Sequence, residues 1–106
     1  MSEKSILDEN YYIVHGWMIN RLNLKGMLLT VYAIIYGFSK EDDKEFTGSL
    51  NYLSRFCGGV SKPTVIKALK ELTHRGLIIR REKIIDSITF VSYRVNLQMV
   101  KNFIEE

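Results

Sequence analysis

Between Lys62 and Lys83 the chain carries seven Lys or Arg residues against two acids, Glu71 and Glu82, a local charge of +5. The rest of the 106-residue chain carries −2, for a net charge of +3. Positive charge gathered in one stretch is what an electrostatic footprint for phosphate requires, the ordinary alternative being a solvated helix face. Within the stretch Lys62, Thr64, Lys67, Lys70 and His74 fall at helical spacing, and Arg80, Arg81 and Lys83 follow on an extended run. Lys and Thr donate to phosphate oxygens or base edges, and Thr adds a methyl that thymine can contact. No Arg or Asn lies between Lys62 and Arg75. Those are the side chains best suited to bidentate base recognition, so sequence discrimination by this helix alone is expected to be modest.

Other chemistries find no constellation. His15 and His74 are the only histidines, with no Cys or carboxylate cluster at metal-ligand spacing. The acids Glu41, Asp42 and Asp43 lack a spaced ligand set and a turn glycine, so EDDKE reads as an exposed loop rather than a cation site. No Gly-rich phosphate loop or activated nucleophile is visible, and neither catalysis, metal nor cofactor is expected. Cys57 is the single cysteine, which rules out a disulfide framework and suits a reduced thiol in the cytoplasm. With 46% apolar and 25% charged residues, the composition is that of one folded globular domain. The longest apolar stretch, Met27 to Phe38, falls short of the roughly 20 residues a membrane span needs. The start, MSEKSILDEN, has no secretory pattern. No membrane partner is expected.

The elements that must position these cations follow from periodicity. After a polar tail over residues 1–10, Tyr11 to Ile19 is rich in aromatic and β-branched residues and predicts an extended segment interrupted at Gly16. Leu24, Met27, Leu28, Val31, Ile35 and Phe38 predict a helix from about Leu24 to Phe38. Leu29, Tyr32, Ala33 and Tyr36 make that helix apolar on nearly every side, so it is either central or covered by a second chain, as in a homodimer. Phe46 and Thr47 suggest a very short strand. Ser49 is placed to cap a second helix with Leu50, Leu53 and Phe56 or Cys57 inward, stopped by Gly58-Gly59. Ser61 is the N-cap of a third helix, with Pro63 in its first turn and Gly76 at its end. Leu77–Ile85 and Ile88–Val95, joined by Asp86 and Ser87, predict a hairpin. Asn96 caps a last helix whose apolar members are Leu97, Val100, Phe103 and Ile104.

Helix, short turn, helix and basic hairpin is the order of an α+β winged helix-turn-helix: a three-helix core, a β-hairpin wing and a short C-terminal helix. A single domain is expected over 1–106, with its core at about 11–95 and the terminal helix at 96–105. On a wheel of about 100° per residue, Val65, Ala68, Leu69 and Leu72 cluster on one side of the third helix. Pro63, Lys67, Lys70 and His74 fall opposite, and Thr64 and Glu71 flank them. Lys62, Thr64 and Lys67, in the half that enters the groove, are the first candidates for base or phosphate contact. Arg80, Arg81 and Lys83 fit a wing on backbone or minor groove, or equally an edge strand guarded by charge. Ile84, Ile85 and Ile88 are unusual at such a tip and fit a protein partner as well.

The stretches KGMLLTVYAIIYGFS and FTGSLNYLSRFCGGVSKPTVIKALKELTHRGLI, with HGWMI before them, resemble the N-terminal winged helix-turn-helix domains of replication initiator (replisome-organiser) proteins of phages and mobile elements of Gram-positive bacteria. The resemblance covers about Val14 to Glu82. It implies binding of double-stranded DNA at a replication origin and recruitment of replication proteins of the host, with the recognition positions at Lys62, Thr64 and Lys67. Such proteins usually continue into a further domain, whereas this chain ends at Glu106, as a short form or with one domain missing. A transcriptional repressor of the same fold, and a protein-interaction module that has lost DNA contact, are the alternatives.

Overall fold

The computed structural model describes residues 11–39, 46–47 and 50–104, the side chains of Phe103 and Ile104 excepted. The tail over 1–10, the EDDKE loop and the Ser49 cap expected from the sequence lie outside the described residues. Along the chain run α1 (Gly16–Asn20), α2 (Gly26–Ser39), α3 (Leu50–Phe56), α4 (Lys62–His74), β1 (Ile78–Ile85), β2 (Ile88–Val95) and α5 (Leu97–Ile104). The order and the two-stranded antiparallel sheet are those of an α+β winged helix-turn-helix. No described helix is long and apolar enough to cross a membrane.

The apolar circumference of α2 has its explanation inside the chain. Every residue from Val31 to Tyr36 is buried, with α4 and β2 packed against the helix. Val65, Leu69 and Leu72 of α4, Leu53 of α3, and Ile78 and Val95 of the hairpin complete the same core. The run needs no second chain to cover it.

One expectation fails. The segment expected to be extended from Tyr11 to Ile19 is non-regular only to His15 and then turns into α1. Met18 is fully buried, while the neighbouring Trp17 ring meets Tyr32 and Tyr36 edge-on at 6.1 and 5.4 Å. Two adjacent side chains can both turn inward on a helix, whereas a strand sends them to opposite faces. Burial of the pair therefore overrides the β propensity of the residue types.

Two polar groups tie the elements together across long sequence distances. The buried Ser39 hydroxyl, at the end of α2, donates to the Ile35 carbonyl at 2.8 Å and accepts from the Val95 backbone N–H at 3.1 Å. Phe46 acts as a one-residue third strand. Its N–H donates to the Tyr93 carbonyl at 2.6 Å, and it accepts from the Tyr93 N–H at 3.0 Å. Both contacts fall on β2, near the base of the hairpin.

Candidate nucleic-acid interface

The connection between α3 and α4 is built from Ser54 and two glycines. The Ser54 hydroxyl donates to the Val60 carbonyl, and the Ser54 carbonyl accepts from the Gly59 N–H at 2.8 Å. Gly58 and Gly59 stand at φ +88° and +82°, the left-handed region that stops α3 and redirects the chain. α4 then starts at Ser61, extended at φ −67° and ψ 153°, whose hydroxyl accepts from the Thr64 N–H. Pro63 sits in the first turn, where its missing donor leaves no hydrogen bond unmade.

This start sets the phase of α4. Val65, Ala68, Leu69 and Leu72 are buried, so Lys62, Pro63, Thr64, Lys67, Lys70 and His74 are all exposed. Pro63, Lys67, Lys70 and His74 line one shallow depression together with Ile66 and Glu71. Glu71 is engaged by Arg75 at 2.7 Å, which withdraws part of the one negative charge on that surface. The Thr64 hydroxyl lies 2.8 Å from that of Ser61. It is therefore shared with the cap, while its methyl and its remaining hydrogen-bonding capacity stay open to outside contact.

The hairpin turns at Asp86 and Ser87, at φ 50° and 66°, the positive pair of a two-residue type I′ connection. The register pairs Arg80 with Tyr93, Arg81 with Ser92 and Lys83 with Phe90. Alternation therefore splits the three wing cations. Arg80 faces α4 and lines an open groove of about 800 Å³ with Lys70, His74 and Tyr93. It pairs with Glu82 at 2.6 Å, and its guanidinium is held above its ordinary pKa by hydrogen bonds to Glu82 and Tyr93. Arg81 and Lys83 project from the opposite face. They form no single row with Arg80, so helix and wing converge through Arg80 while the other two serve a second surface.

Two residues of that second surface escape a reading of charge runs. Arg94 pairs with Ile79, and Phe90 with Lys83, which puts both on the face of Arg81 and Lys83. Counting outward from the Asp86-Ser87 turn finds them, because a two-residue turn fixes the register of every pair below it. Elsewhere, burial pushes the Cys57 thiol above its ordinary pKa. His15 is stacked on Trp17 at 5.7 Å and edge-on to Tyr36 at 5.3 Å, a packed histidine.

Residues 22–78 match a family described as a helix-turn-helix domain. The chain belongs to this helix-turn-helix family. The matched span runs from just before α2 to the first residue of β1, so the family pattern covers the α2–α4 core and its recognition helix, and the wing lies beyond it. Two solved structures are similar to the helix-turn-helix chain over nearly its full length. One is a possible transcriptional regulator from Methanosarcina mazei Go1, with a TM-score of 0.56 at 20% identity, covering 92% of this chain and 84% of that one. The other is the N-terminal domain of a DNA binding protein, with a TM-score of 0.56 at 17% identity, covering 100% of this chain and 95% of that one. At these identities the likeness shows the fold. No curated protein matches the sequence.

Proposed function

We propose that this helix-turn-helix domain binds double-stranded DNA without catalysing a reaction, laying the exposed face of α4 in the major groove and the hairpin on an adjacent groove or backbone. The observation that carries this reading is the phase of α4. Lys62, Thr64, Lys67, Lys70 and His74 face outward while the buried side anchors the helix to α2. Lys62 and Lys67, in the first half of the helix, reach the base edges or the phosphates that flank them, and Lys70 and His74 lie toward the backbone. The names of the two similar structures, a possible transcriptional regulator and a DNA binding protein, support the same reading.

Replication initiation in a phage or mobile element, or its regulation, is the pathway supported by the resemblance of KGMLLTVYAIIYGFS and the following segment to replisome-organiser domains. Transcriptional repression from the same fold is the second reading, favoured by the regulator-like structural neighbour. The deciding experiment is anisotropy of a labelled random-sequence duplex at several salt concentrations, followed by selection of the tightest-binding sequences. Binding that weakens steeply with salt supports phosphate contact through counterion release. Selected sites arrayed as origin-like repeats support replication, and a single operator-like site beside a promoter supports repression. No binding at low salt assigns the domain to protein interaction instead.

A further inference from the structure

Four large apolar side chains crowd the end of the hairpin. Ile84, Ile85, Ile88 and Phe90 are 70, 46, 58 and 51% exposed. Ile88 stands opposite Ile85, Thr89 opposite Ile84 and Phe90 opposite Lys83. A wing that had only to stay soluble and touch phosphate would carry polar residues at these positions.

The charges around the tip select its occupant. Lys83, Arg81 and Arg94 share the face of Ile85, Ile88 and Phe90, and Glu82 lies on the other face, paired with Arg80. Two such faces brought together would set cations against cations, which disfavours a second copy of the chain. A polyanion with an apolar interior suits the surface, and reach decides which part of it. Arg80 lies in the groove beside Lys70 and His74. The five steps from Arg80 to Ile85 extend about 17 Å at about 3.4 Å per residue. That is half of the roughly 34 Å turn of B-DNA. With α4 in a major groove, the tip arrives at the neighbouring minor groove.

Building on the duplex-binding reading above, we propose that the hairpin tip is an apolar wedge for DNA. Ile85 and Ile88 enter the minor groove and unstack a base step, with Phe90 behind them on the same face, while Lys83 and Arg81 rest on the flanking phosphates. Inserted Ile and Phe side chains kink a duplex toward the major groove, at least cost at flexible TA steps. Asp86 opposes the insertion electrostatically. It is there because the turn demands positive φ at both central positions, which Asp tolerates. The wedge therefore works against one carboxylate at its own tip, and this supplies an independent test.

The probe is an alternating TA duplex with 2-aminopurine replacing some adenines, saturated with the whole chain as judged by anisotropy. Unstacking raises the 2-aminopurine fluorescence. The Ile85→Ser/Ile88→Ser variant should lose that rise while still binding within a few-fold, its circular dichroism unchanged because both side chains are about half exposed and lie outside the core. Asp86→Asn, which keeps the turn geometry, should tighten binding several-fold and preserve the rise. A bound wild type with no rise overturns the wedge and leaves duplex binding standing, as does an equal rise in the double variant. Unchanged affinity in Asp86→Asn places the tip outside the groove and overturns it too. Binding to phosphatidylserine vesicles that the double variant loses, without any rise on DNA, would overturn it by assigning the tip to an anionic membrane surface. Failure of the wild type to bind any duplex at low salt defeats the underlying reading together with the wedge.

Discussion

Replacing Lys67 and Lys70 together with Ala tests the interface with a magnitude that can be worked out beforehand. Both side chains are exposed and three residues apart on α4, so they sit on one face and neither contributes to the core. Each phosphate contact releases condensed counterions, and log K falls with log salt by about 0.9 per contact. Two lost contacts should therefore flatten the salt slope by about 1.8. The same relation makes the double variant about 200-fold weaker than the wild type at 50 mM salt and about 20-fold weaker at 200 mM. At 100 mM the deficit is near 60-fold, or about 1.2 kcal/mol for each lysine. The assay is anisotropy of one labelled duplex at four or more salt concentrations, with circular dichroism and thermal melting to show that the fold persists. Equal slopes for the two proteins, with native spectra, would refute the placement of α4 on the phosphate backbone. A uniform loss at every salt concentration would mean that the lysines act by some means other than ion release.

Three further outcomes follow from the packing. Leu69→Ala empties a site that is 2% exposed and should cost about 2–5 kcal/mol in urea unfolding; a negligible loss would mean that α4 is held by another face. Ser39→Ala leaves the Val95 N–H buried without its acceptor and should cost about 1–3 kcal/mol, with faster amide exchange at Val95 as the local readout. Burial, followed by the charge of Tyr36, raises the pKa of Tyr32, and burial raises that of Tyr36. A folded-state pKa above the unfolded value makes a contribution that is fully present below about pH 10 and lost as pH rises through the folded value. The domain should therefore lose stability in alkali, and Tyr32→Phe should flatten that limb in a denaturation series from pH 8 to 12.

The parts of this fold legible in the sequence are those governed by neighbours along the chain. The start of α4 was readable from Ser61 and Pro63, its end from Gly76, and its phase from Val65, Ala68, Leu69 and Leu72. Asp86 and Ser87 mark the hairpin turn, and the turn fixes the outer face residue by residue, Arg94 and Phe90 included. α1 was not legible. The aromatic and β-branched residues around Trp17 favour a strand, and the surface that turns Trp17 and Met18 inward belongs to α2, well downstream. The Ser39–Val95 and Phe46–Tyr93 contacts were hidden for the same reason, since each pairs residues more than 40 positions apart. Among the interface residues, those of α4 are legible as a row because the helical period is local. The division of Arg80 from Arg81 and Lys83 followed from alternation, but the capture of Arg80 by Glu82 and Tyr93 depends on side-chain geometry within the sheet.

The two anchors on β2 have a mechanical meaning. Ser39 holds Val95 and Phe46 brackets Tyr93, so the base of the hairpin is clamped twice within three residues, once to the end of α2 and once to the segment ahead of α3. Beyond Tyr93 the two strands of the hairpin pair with each other as far as the Asp86-Ser87 turn. The pitch of the hairpin relative to α4 is thus set by the hydrophobic core rather than by whatever the tip meets. Such a lever works as a caliper, the gap between its jaws set at the anchored end by Ser39 and Phe46. A target that fits must bring its own geometry to that gap, and the strain of a mismatch falls on the softer of the two bodies.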